Sequence, residues 1–92
     1  MNTLFLLMAQ YNGQAVIPLE TVCRDYLNLS YEQAKRKQLA GELDLPIVRL
    51  GGRSQKSALG IHLSDLANYI DKQRDAAVKE LDQLMGRYKR NS

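Results

Sequence analysis

Between Pro18 and Gly41 the stretch "PLETVCRDYLNLSYEQAKRKQLAG" punctuates two helices with almost no chain left between them. Pro18 suits a first helical turn, where a missing N–H costs nothing. Leu19, Val22, Cys23, Tyr26 and Leu27 then follow the i, i+3, i+4, i+7, i+8 spacing of a buried stripe. After the break "NL", Ser30 opens "SYEQ", the Ser-x-x-Gln form of a capping box in which the hydroxyl accepts from the N–H of Gln33 and the Gln33 side chain reaches back. Gly41 suits the left-handed position that ends a helix. The second helix has few apolar positions, Ala34 and Leu39 with help from Tyr31 and Ala40, and is otherwise polar and basic. Two short helices joined by a tight turn, with the second turned outward, form a helix-turn-helix pattern.

The flanking segments complete an α+β, mostly helical domain. "NTLFLLMAQYNG" places Leu4, Leu7, Met8 and Tyr11 at helical spacing, with Asn2 as N-cap and Asn12-Gly13 as a stop. "AVI", residues 15–17, suits a short strand. "LPIVRL" and "GIHL" predict two more short strands around a basic loop of about nine residues, a hairpin with a long tip, to which residues 15–17 could add a third strand. A long helix runs from Ser64, taken as its N-cap, to about Met85, with Asp65 in the first turn and Gly86 at the stop. At about 1.5 Å per residue it spans roughly 33 Å, more than so small a core needs.

Ninety-two residues bound the chain to one domain; we expect it over 1–85, followed by a basic tail over 86–92. The net charge of +3 is unevenly spread: residues 1–34 carry −2, residues 35–63 carry +4 and the rest +1. A basic middle suits a polyanionic partner. The apolar run "LFLLMA" is too short to span a bilayer and is expected to be core, so no membrane role and a cytoplasmic setting are expected. Cys23, the single cysteine, lies in an apolar pattern and is expected to be a buried, inert thiol.

Catalysis by a nucleophile or an acid-base pair needs a poised His, Cys or carboxylate pair, and this chain has one His and one Cys. His62, between Ile61 and Leu63, reads as a structural histidine. No ligand spacing suits a metal. The Lys56-Ser57 pair fails as a phosphate-binding loop, because Gln55 and Leu50 stand where that motif needs glycines and a strand follows where it needs a helix. The expectation is a non-enzyme without cofactors.

A basic helix and a basic hairpin tip on one domain fit duplex DNA, whose major groove admits a helix while flexible Lys and Arg side chains reach the flanking phosphates. The candidates on the second helix, about 31–40, are Tyr31, Gln33, Lys35, Arg36, Lys37 and Gln38. On the wing, about 51–59, and its approach they are Arg49, Arg53, Ser54, Gln55, Lys56 and Ser57. The simpler alternative leaves Lys35 to Lys37 as the solvated face of a surface helix. On the long helix, Leu63, Ala67, Ile70, Arg74, Ala77, Leu81, Leu84 and Tyr88 fall at spacings of three and four. Ile70, Ala77, Leu81 and Leu84 are therefore expected to mediate a homodimer. The alternative is that Leu66 and Ile70 close the core and the distal half is solvated, with Asp75 and Lys79 paired.

The stretch "IPLETVCRDYLNLSYEQAKRKQLAGELDLPIVRLGGR" followed by "GIHLSDLANYI" resembles the winged helix-turn-helix of excisionase and MerR-like proteins. More narrowly, "FLLMAQYNGQAVIPLETVCRDY", "LPIVRL", "SQKSALGIHLSDLANYID" and "AAVKEL" are similar to the pyocin activator family, PrtN. That resemblance implies a DNA-binding transcriptional activator of bacteriocin or prophage genes, with RNA polymerase as a candidate partner. It carries Arg36 and Lys37 onto a recognition helix and Ser54 to Ser57 onto a wing. Two other functions compete: an excisionase-like protein that bends DNA, and an antirepressor or other protein-interaction module.

Overall fold

A computed structural model describes residues 2–51 and 58–87. The elements run α1 (Thr3–Gln10), β1 (Val16–Pro18), α2 (Leu19–Val22) continued by a π-helical turn (Cys23–Leu27), α3 (Tyr31–Leu39), β2 (Val48–Leu50), β3 (Ala58–His62) and α4 (Leu63–Leu84). This is the α+β architecture the sequence predicts, with the third strand present.

The three strands form one antiparallel sheet in the order β1-β3-β2. Ile17 faces Ile61 across β1 and β3, and Arg49 faces Leu59 across β2 and β3. Gly60 sits at the centre of this sheet because nothing larger fits: a Cβ there would lie 2.5 Å from Val16 Cγ1 and 2.9 Å from the Ile17 carbonyl oxygen.

The core gathers Leu7 of α1 and Tyr11 at its C-terminal end, Ile17, Leu19, Val22 and Cys23, Ala34 of α3, Leu45, Ile61, and Leu63, Leu66 and Ala67 of α4. Leu45, in the connection between α3 and β2, is buried and anchors that connection. Cys23 is buried as expected, and burial, with Glu20 adding to the effect, pushes its thiol pKa up.

The helix ends follow their local chemistry. Asn2 accepts from the Leu4 N–H at 2.7 Å. Ser30 and Gln33 form the reciprocal capping box, with bonds of 3.1 and 2.9 Å. Gly41 adopts a φ of 74°, and the Glu42 N–H reaches the Lys37 carbonyl while the Gly41 N–H reaches that of Gln38, closing α3 with a Schellman motif.

Four local expectations need correction. Ser64 does not cap α4: His62 does, its Nδ1 accepting from the Ser64 N–H at 3.0 Å, because β3 passes into α4 with no loop between them. Tyr26 lies outside the buried stripe, since the Asn28 N–H bonds the Cys23 carbonyl in an i to i+5 turn that rotates it outward, where its hydroxyl donates to Gln10. Met8 is exposed, leaving Leu7 and Tyr11 to carry the burial of α1. Leu39, expected to help bury α3, is 84% exposed, because five residues beyond Ala34 lies on another side of a helix with 3.6 residues per turn.

Candidate nucleic-acid interface

Helix α3 is held by one buried residue, Ala34, with Tyr31, Lys35 and Gln38 half-buried beside it. Leu29 and Ala34, at the two positions of a hydrophobic staple, both belong to the core or pack on it, which sets the angle at which α3 leaves the turn. Because the capping box and Schellman motif bound it at both ends, its nine residues present fixed directions.

Two shallow depressions flank the helix. Gln33, Arg36, Lys37, Ala40 and Glu42 line the larger, of about 460 Å³. Lys35, Gln38 and Leu39 line a smaller one of about 110 Å³ together with Ile47, Arg49 and Leu59, so the foot of the hairpin and α3 border one depression. The six predicted α3 residues thus divide. Gln33, Arg36 and Lys37 share one face, while Lys35 and Gln38 turn toward the hairpin and Tyr31 packs against the core, with the Lys35 ammonium 5.2 Å from its ring centroid.

Arg49 is exposed on β2 and lines the smaller depression. Arg53, Ser54, Gln55, Lys56 and Ser57 lie outside the described residues. Acidic side chains partly offset the cations: Lys35 lies 3.9 Å from Glu32 and Lys37 3.7 Å from Glu42. Both pairs are exposed and therefore weak, so either lysine can exchange its carboxylate for a phosphate at small cost. Arg36 and Arg49 have no acidic partner among the described residues.

On α4, Ile70 packs against the core, whereas Leu81 and Leu84 are exposed on the continuation of the same helix face and Ala77 is exposed beside them. Val78 and Met85 widen this stripe and were missing from the sequence prediction, although their three- and four-residue spacings to Leu81 were visible. The Asp75–Lys79 pair is not formed among the described residues; Lys72 instead reaches back to Asp44 at 3.1 Å. The expectation that the whole run "LFLLMA" is core is also corrected: Phe5 and Leu6 are exposed, because α1 packs on one side only and buries the face that carries Leu4 and Leu7.

Among the described residues no helix is long and apolar enough to cross a membrane, and no three His, Cys, Asp or Glu side chains are grouped to hold a metal ion. The family model described as pyocin activator protein PrtN matches residues 3–77. No curated protein and no solved structure matches the chain.

Proposed function

The chain belongs to the pyocin activator protein PrtN family, and on that premise we propose that it is a sequence-specific binder of double-stranded DNA that activates transcription of bacteriocin or prophage genes. The fold acts as a winged helix-turn-helix: α3 enters the major groove and the hairpin wing meets the flanking backbone or minor groove. The observation that carries this reading is that α3 and the foot of the hairpin border one depression, which Lys35 and Gln38 share with Arg49 while Arg36 and Lys37 stand exposed on the adjoining face.

Arg36 and Lys37 contact the groove and its phosphates, with Gln33 beside them. Lys35, Gln38 and Arg49 meet backbone at the groove edge. The basic and hydroxyl residues of the wing, Arg53 to Ser57, extend the contact. The protein acts as a homodimer through the distal half of α4, where Ala77, Leu81 and Leu84 continue the face that Ile70 begins. Activation then recruits RNA polymerase.

A gel shift with the DNA upstream of the protein's own gene tests this reading. With about six phosphate contacts per dimer, log K falls with log salt at a slope of about −5. No retardation, or retardation insensitive to salt, overturns it. Strong bending of that DNA with no activation of a reporter assigns the chain to the architectural class instead. Full biological activity after replacing both Arg36 and Lys37 by Ala assigns it to the protein-interaction class.

A further inference from the structure

We propose that Leu39 is a specificity residue that reads the C5-methyl group of a thymine in the major groove. This inference rests on the DNA-binding reading above and adds to it a base that the site prefers.

Leu39 is 84% exposed, the most exposed of the large apolar side chains among the described residues. Water is a poor environment for it, and it lies in the last turn of α3, where a Lys, Gln or Ala would serve the helix as well. Its surroundings are specific. Together with half-buried Ile47 and Leu59 it lines the depression of about 110 Å³, whose other lining residues are the basic Lys35 and Arg49 and the amide-bearing Gln38; the Lys35 ammonium lies 3.9 Å from Glu32, an exposed and weak pair. A lining of apolar and basic residues is complementary to a ligand that offers a small apolar group close to negative charge.

Duplex DNA offers such a pairing in its major groove. Thymine is the base whose edge carries a methyl group there, and phosphates line the groove on both sides. With Lys35 and Arg49 on phosphate, Leu39 faces the base edges from the hairpin side of α3, and Arg36, three residues earlier on the helix, faces them from the other. The depression has room for a methyl group.

The test uses the full chain and a duplex that the wild-type protein recovers from a random-sequence pool. Each thymine of that duplex is replaced in turn by deoxyuracil, which removes the methyl and leaves every hydrogen-bonding group in place. Affinities are measured by fluorescence anisotropy for wild type and for Leu39→Ala. At one thymine per half-site the wild type should lose roughly fourfold in affinity, as expected for one buried methyl. Leu39→Ala removes the contact from both half-sites of the dimer, so it should bind the thymine duplex roughly sixteenfold more weakly and show no further penalty from deoxyuracil at that position. Leu39→Met, which restores apolar reach, should recover part of the discrimination.

A flat deoxyuracil scan with otherwise tight, salt-dependent binding overturns the inference and leaves the DNA-binding reading intact. An unchanged deoxyuracil penalty in Leu39→Ala overturns it too, by giving the methyl contact to another residue. Failure to recover any duplex overturns the DNA-binding reading, and the inference with it. Because Leu39 touches solvent over most of its surface, its substitution leaves the fold in place, and thermal unfolding of each variant checks this.

Discussion

The hydroxyl of Tyr11 donates to the carboxylate of Asp25 at 2.7 Å, joining α1 to the π-helical turn that follows α2. Burial, reinforced by that carboxylate, holds the Tyr11 pKa well above the ordinary phenol range. Hydrogen bonds from Arg24 and then Tyr11 hold the Asp25 pKa below the ordinary carboxylate range. Tyr11→Phe keeps the buried ring and removes the bond, and should cost about 1 kcal/mol in urea unfolding at neutral pH.

The same pair makes stability depend on pH at both extremes. A raised folded pKa means that the Tyr11 contribution is present below the unfolded value of about 10 and is lost as the pH rises beyond it. A lowered folded pKa means that the Asp25 contribution is present above the unfolded value of about 3.9 and is lost as the pH falls through the folded one. Unfolding midpoints measured across pH should therefore converge for wild type and Tyr11→Phe on the alkaline side.

Replacing Arg36 or Lys37 by Ala tests the exposed face of α3 without touching the core. Lys37→Ala should weaken binding about uniformly across sequences and make the salt slope shallower by about 1. Arg36→Ala should cost about 1–3 kcal/mol and relax base preference if its guanidinium reads a guanine. Unfolding free energies should stay within about 0.5 kcal/mol of wild type, because both side chains are exposed.

The central glycine of the sheet gives a packing prediction. Gly60→Ala drives a methyl against Val16 Cγ1 and the Ile17 carbonyl oxygen, and the carbonyl, being backbone in a paired strand, cannot retreat. A loss of about 1–3 kcal/mol is expected in chemical denaturation. Adding Val16→Ala should relieve only the side-chain part of the clash.

The apolar stripe on α4 gives an association prediction. Leu81→Glu with Leu84→Glu should leave the circular dichroism of the domain unchanged, since neither side chain belongs to the core. It should raise the dimer dissociation constant more than a hundredfold in sedimentation experiments, for about 3 kcal/mol or more of lost apolar burial.

Features written into a few adjacent residues were legible in the sequence: the Asn2 cap, the Ser30–Gln33 box and the Gly41 stop are local chemistry, and the structure contains all three. Features that depend on how a helix is wound or what it meets were not. One π-helical turn displaced Tyr26, and nothing in "CRDYL" encodes that extra residue per turn. His62 took over the cap from Ser64 because the strand pairing of β3 with β1 runs up to His62 itself. On α3, the polar and basic character of the helix foretold the exposure of Arg36 and Lys37. That Arg49 lines one depression with Lys35 and Leu39 depends on how the hairpin and α3, distant in the chain, are placed by the fold.

The sheet register bears on what binding costs. β3 is paired on one edge to β2 and on the other to β1, and β1 runs directly into α2, so the foot of the hairpin and α2 share one hydrogen-bonded frame, to whose core α3 adds Ala34. The Leu63 N–H bonding the Ala15 carbonyl at 2.8 Å ties α4 into the same frame. For a duplex that engages α3 and the hairpin together, their relative orientation is already set before the encounter. Little entropy is then lost in aligning them, and more of the contact energy remains as affinity.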